Sequence, residues 1–262
     1  MAILETKNVT KSFGGLCAVS EVDFHIDEKE IVGLIGPNGA GKTTFFNIIS
    51  GLYTPTSGEV FINGEKTTGI KPYKIAYKGV ARTFQNIKLF GNVSVLDNVK
   101  MARYTRSKAG VWNAILKPKW VIKEEEDITD KSIELLKFVG LEQYKDEISK
   151  NLSYGNQRKL EIARALANEP SLLLLDEPTA GMNIEETKGM MNLIRAIRSG
   201  GISVLVIEHN MNLVMNVSDR VVVLNHGIKI ADGKPEEVAG NPEVIEAYLG
   251  KEVDESAFSS EC

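Results

Sequence analysis

The chain is poor in cysteine, in unbroken apolar stretches and in positive charge, and each shortage excludes a class of function. Two cysteines in 262 residues, Cys17 and Cys262, offer neither a disulfide framework nor metal-ligand spacing, which suits a reducing compartment. No apolar run is longer than four residues, as in Leu172 to Leu175, whereas a membrane-crossing helix needs about 20. The opening "MAILETKNV" mixes acidic and basic residues and has no apolar segment of its own, so no secretory signal is expected and the chain is placed in the cytosol. With 31 basic against 35 acidic residues the formal charge is −4, and no nucleic-acid partner is expected. What remains, 43% hydrophobic and 25% charged residues, is an ordinary globular profile with room for one large domain and a subdomain.

Three zones follow one another. Up to about residue 90, short β-like segments ("VDFHI", "EIVGLI", "EVFING") alternate with turns, and Asn63-Gly64 marks a tight one. From Val93 to about Tyr144 the periodicity is helical, as in "DITDKSIELLKFVGL". Beyond it helices ("NQRKLEIARALAN", "NIEETKGMMNLIRAIR") alternate with apolar strands ("SLLLLD", "SVLVIE", "VVVLNHGIKIADG"), the pattern of a parallel sheet flanked by helices. The polar tail after Lys251 is expected to fray.

The densest glycine cluster is "GPNGAGKTT", Gly36 to Thr44, between the strand-like Ile31 to Ile35 and the helix expected over Thr43 to Ser50. This is G-x-x-x-x-G-K-[ST] in the strand-to-helix context that the pattern requires. Main-chain N–H groups of the loop Gly36, Pro37, Asn38, Gly39, Ala40 and Gly41, all but that of proline, can close on phosphate oxygens only where no side chain intervenes, which is the use of its glycines, and the helix N-terminus adds its positive end. Lys42 is expected to neutralise the β- and γ-phosphates of ATP, and Thr43 to ligate Mg²⁺ with Thr44 beside it.

"SLLLLDEP" reads as a strand buried on both faces and closed by two carboxylates at the end where such sheets bind ligands. Asp176 is expected to hold Mg²⁺ and Glu177 to polarise the attacking water; taken alone, the pair could simply cap the next turn. "NLSYGNQRKLEIARALA" is a helix with Ser153 and Gly155 at its entrance, which by itself is no more than an N-capped surface helix.

In this order and spacing, "GPNGAGKTT", "LSYGNQ", "LLLLDEP" and His209 after "SVLVIE" resemble an ATP-binding-cassette ATPase over about residues 3 to 250. The resemblance implies an α/β P-loop NTPase, with a RecA-like mixed-sheet core (1–90 and 157–250), an antiparallel β subdomain and an inserted α-helical subdomain (about 91–156). It implies a head-to-tail dimer in which Ser153 and Gly155 cover the ATP of a second ATPase subunit, identical or paralogous. It also implies that Phe13 in "KSFGGL" stacks on adenine, that Gln85 in "ARTFQN" reaches the metal and the attacking water, and that His209 touches the γ-phosphate. Ala180 to Asn183 take the D-loop position, with Asn183 where the family more often has Asp. Tyr154 and Asn156 depart from the commonest "LSGGQ"; His25 and His226 match nothing and read as surface or turn residues.

Within the family, "FGGLCAV", "GVARTFQNIKLFGNVSVLDNV" and "EPTAGMN" are similar to the larger ATPase subunit of branched-chain amino-acid importers. That implies a place on the cytoplasmic face of the membrane, two permease subunits as partners, with Ile87, Leu89 and Phe90 lining a groove for one of their helices, and indirectly an extracytoplasmic substrate-binding protein. The segment with Trp112 and Trp120 is either a hairpin packed on its own subdomain or a patch toward the membrane partner. A transporter ATPase for urea, an amide or a lipid stays open, since solute choice lies with other subunits; a soluble nucleotide-gated clamp is the reading from another class.

Overall fold

The computed structural model describes residues 2–106 and 118–249; Trp112, Cys262 and the polar tail lie outside them. Ten strands occur among the described residues: β1 (Ala2–Phe13), β2 (Leu16–Asp27), β3 (Ile31–Ile35), β4 (Ser57–Ile62) and β5 (Glu65–Lys66), then β6 (Val80–Arg82), β7 (Leu172–Asp176), β8 (Ser203–Ile207), β9 (Arg220–Asn225) and β10 (Ile228–Gly233). They form two sheets. An antiparallel sheet has the order β2-β1-β4-β5, and a mixed one the order β10-β9-β3-β8-β7-β6, parallel throughout except at its β9–β10 hairpin.

The mixed sheet explains why its strands read as unbroken apolar runs. Successive side chains of a strand point to opposite faces, and both faces here are covered. Ile31, Leu173, Leu175, Val204 and Val206 enter the core on one side, and Val32, Leu172, Leu174, Leu205 and Ile207 the core on the other. Each such side chain, removed from water, contributes about 1.5–3 kcal/mol of transfer free energy. The second core also takes Leu4, Phe24 and Val60 of the antiparallel sheet and Phe45, Phe46 and Ile49 of helix α1 (Lys42–Ile49). α1 begins one residue before the expected start.

In chain order, α2 (Pro72–Tyr77) precedes β6, and the helical layer follows it: α3 (Val95–Arg103), α4 (Lys119–Phe138) and α5 (Tyr154–Leu166). Val95 and Val99 of α3, Leu136 of α4 and Leu160 and Ala163 of α5 belong to the same core cluster as β7 and β8. The helical layer is therefore continuous with the sheet's packing, and the border expected between residues 156 and 157 falls inside one helix. α6 (Ile184–Ser199), α7 (Met211–Val217), α8 (Pro235–Ala239) and α9 (Pro242–Leu249) complete the chain. Asn63 (φ 51°) and Gly64 (φ 75°) make the tight turn between β4 and β5, the two positive φ values that a two-residue hairpin needs. His226 (φ 47°) and Gly227 (φ 81°) do the same between β9 and β10, and His25 is exposed on β2. Trp120 is 47% exposed at the start of α4.

Candidate active site

The parallel register sets the site. Leu34 on β3 pairs with Ile207 on β8, and Ile207 pairs with Asp176 on β7. The segments that leave these strands at their carboxyl ends, Gly36–Thr44, Glu177–Pro178 and Glu208–Asn210, therefore emerge side by side.

Main chain confines the glycine loop at its first and last glycines. At Gly36 (φ 148°) a β-carbon would stand 2.1 Å from the Leu224 carbonyl oxygen, and at Gly41 (φ 96°) 2.3 Å from that of Ala18. Gly39 (φ 80°) faces open space. Gly227 N–H donates to Ala40 O at 3.0 Å, so the β9–β10 turn props the loop from below. Ala40 is buried, Pro37 half-buried, and Asn38 and Gly39 exposed. Lys42, buried at the start of α1, donates from Nζ to Gly36 O at 2.7 Å and Pro37 O at 2.9 Å. Burial holds its ammonium below the ordinary lysine range, and the Glu177 carboxylate partly offsets this. Thr43 is exposed and Thr44 half-buried on the first turn of α1.

Glu177 (φ 48°) is the meeting point of the expected catalytic residues. His209 Nε2 lies 3.1 Å from its Oε1, and Gln85 Nε2 donates to its Oε2 at 3.2 Å. Three residues far apart in sequence thus share one carboxylate, within electrostatic reach of Lys42. Asp176, only 4% exposed, is already paired: Arg82 Nη2 lies 3.0 Å from its Oδ2. Burial raises the Asp176 carboxyl above its usual range, and Arg82 counters that. The Arg82 guanidinium also donates to Asn47 Oδ1 at 2.6 Å and stacks 4.6 Å from the Phe46 ring centre.

Phe13, at the end of β1, is 43% exposed and meets Tyr53 edge to face, centroids 5.4 Å apart. The hairpin that carries it also carries Ala18, the residue against Gly41. Among the described residues no hydrogen bond joins Ser153 or Gly155 to the glycine loop. Ser153 Oγ instead caps α5, accepting Asn156 N–H at 3.3 Å, and a β-carbon on Gly155 would meet Glu186 Oε1 at 2.7 Å. Asn183 caps α6 through a reciprocal pair with Glu186, Oδ1 accepting at 2.9 Å and N–H donating at 3.1 Å.

Sequence reasoning missed several charges that the fold covers. Arg158, Glu161 and Glu208 are buried like core leucines, and Arg82 is half-buried. Glu208 accepts the N–H groups of Thr179 at 2.8 Å, His209 at 3.0 Å and Asn210 at 3.2 Å, fixing the strand end that presents His209. A signal existed for one of them: Glu208 directly follows an apolar strand, as Asp176 closes one.

Comparison with known proteins agrees with this geometry. Residues 19–180 match the family described as ABC transporter, and residues 229–254 one described as branched-chain amino acid ATP-binding cassette transporter. The chain is 43% identical over 250 residues to the high-affinity branched-chain amino acid transport ATP-binding protein BraF of Pseudomonas aeruginosa, covering 95% of this chain and 98% of that one. It superposes on the ADP conformation of an ATP-binding cassette of an ABC transporter with a TM-score of 0.84 and 31% identity, over 96% of this chain and 100% of the other. A dimeric post-hydrolysis cassette bound to ADP and Pi gives 0.74 and 29%, over 88% and 98%. A phosphate cradle, a shared carboxylate and relatives that match along nearly their whole length lead to one conclusion: the chain belongs to the ABC transporter family, as an ATP-binding cassette.

Proposed function

We propose that this cassette binds and hydrolyses ATP to drive uptake of branched-chain, hydrophobic amino acids through a membrane permease. The observation that carries the hydrolytic step is the convergence of Gln85 and His209 on Glu177. A carboxylate held by two donors, with its remaining lone pairs free, is placed to take the proton of a water attacking the γ-phosphate. Lys42 and the main-chain amides of Gly36 to Thr44 hold the phosphates, and Phe13 with Tyr53 offers an aromatic edge to adenine. The solute rests on the names of the relatives and on the second family match.

The donor set fits Mg²⁺: Thr43, Asp176 and Gln85 supply a hydroxyl, a carboxylate and an amide oxygen, all hard ligands. The ion, when bound, would neutralise phosphate charge. Asp176 keeps Oδ1 for it while Arg82 holds Oδ2. The open space at Gly39, where only the positive φ opposes a side chain, is what an approaching phosphate requires.

Ser153 and Gly155 stand apart from their own glycine loop, which suits action on a second subunit's ATP in a head-to-tail dimer; the dimeric relative supports that arrangement. A groove of about 730 Å³ opens beside β6, lined by Leu52, Phe84, Lys88, Phe90 and Met101. It suits an amphipathic cytoplasmic helix of the permease, and would hold the cassette at the cytoplasmic face of the membrane. Of the apolar residues expected there Phe90 lines it, while Leu89 packs on the core instead. The test is purification from membranes with ATP turnover measured on the assembly. Co-purification with integral membrane subunits and turnover raised by leucine, isoleucine or valine on the binding protein are expected. Turnover indifferent to those amino acids overturns the proposed solute.

A further inference from the structure

Arg158, on the second turn of α5, is 3% exposed. Its guanidinium donates to two successive main-chain carbonyls, Phe84 O at 2.7 Å and Gln85 O, and to the Tyr154 phenol at 2.9 Å. One turn on, Glu161 lies 3.3 Å from it and accepts the Phe84 N–H at 3.2 Å. Burial lifts the Glu161 carboxyl, and the Phe84 amide and Arg158 pull it back. The residue before Gln85 is thus gripped by both its N–H and its C=O from a single helix, and Gln85 by its C=O. The Gln85 side chain then reaches Glu177.

The same helix end is seated on the D-loop. A β-carbon on Gly181 would lie 3.4 Å from the Tyr154 ring, and Gly155 abuts Glu186. On the other side, Phe84 and Glu161 belong to the wall of the groove beside β6. Three places that must report to one another, the capping serine, the groove and the attacking-water carboxylate, therefore meet at one side chain. An arginine fork serves several acceptors in fixed, spread directions; a lysine in its place would bring its donors on one nitrogen and could not span them.

We infer that Arg158 is a positioning residue: it ties the Q-loop backbone to the signature helix, so that the Gln85–Glu177 contact forms only when that helix stands correctly. A second nucleotide under Ser153, or a partner helix in the groove, is then felt at Glu177 without touching it. The inference rests on the ATP site described above, and the experiment separates the two.

ATP turnover is measured on the full chain for R158M/E161Q, which removes the buried pair together, in the wild-type and the Q85A backgrounds. Y154F, which deletes one hydrogen bond to Arg158, is the milder variant. In the wild-type background R158M/E161Q should lower kcat by roughly 10- to 100-fold, as loss of a supporting partner does, and Y154F by less. In Q85A the same change should cost less than about twofold, because the contact it supports is gone. Within each background, affinity for a fluorescent ATP analogue should stay within about twofold when the pair is removed. Equal fold-losses in the two backgrounds, or a parallel loss of nucleotide affinity, overturn the tie and leave Arg158 a structural residue. Q85A turnover equal to wild type overturns the role of Gln85 itself, and the tie with it.

Discussion

The glycine loop and the signature segment, which the proposed function joins in one reaction, are built in opposite ways. The loop is fixed by main chain: Leu224 O, Ala18 O and Gly227 N–H surround it, and only glycine fits at two positions. The signature segment is fixed by side chains, with Ser153, Tyr154, Arg158 and Glu186 all needed to set one helix end. A main-chain cradle is rigid and complete within one chain. A side-chain clamp can let go, which suits a lid that must open after each turnover.

The sharpest test of that contrast removes chemistry and keeps both halves. Glu177→Gln should lower turnover by about 10²- to 10⁴-fold while Mg-ATP binding persists and a closed dimer accumulates on size exclusion; normal hydrolysis would place the base elsewhere. Next in size, Arg82→Met should cost about 3–5 kcal/mol in denaturant unfolding, because it strands the buried Asp176 charge; restoration by Asp176→Asn in the same chain would confirm the cause. Within the loop, Gly41→Ala should destabilise by about 1–3 kcal/mol through a forced clash at positive φ and weaken nucleotide binding. Gly39→Ala, with nothing in its way, should cost only about 1 kcal/mol. Equal effects at the two glycines would mean that the main chain does not confine the loop. Smallest in the isolated chain is Ser153→Ala: about 1 kcal/mol of capping and unchanged nucleotide affinity, but fewer dimers when combined with Glu177→Gln. If it weakened binding by the lone monomer, the two halves would not be separate.

The same contrast decides what could be read in advance. The loop was legible because glycine is a backbone requirement written directly in the letters, and β7 to β9 were legible because burial on both faces leaves no room for polar residues. β1, twelve residues long, was not: its register shifts near Thr6, Val9 and Lys11 break the alternation that marks a strand. β6 is only three residues and ends in a charge. Nothing in the letters marked Arg82, Arg158 and Glu161 as covered, because charge usually lies at the surface, and their partners, a carboxylate, a carbonyl and a main-chain N–H, lie 94, 74 and 77 positions away. The Asn183 and Ser153 caps carry a local signature, so their place at helix starts was visible while the contact of Gly155 with Glu186 was not.

Glu177 sits in a left-handed conformation, at φ 48°, that a side chain bears only at some expense to the fold. Glycine there would relax the chain and, on the role proposed for Glu177, stop hydrolysis: heat resistance and turnover ask for different residues at this one bend.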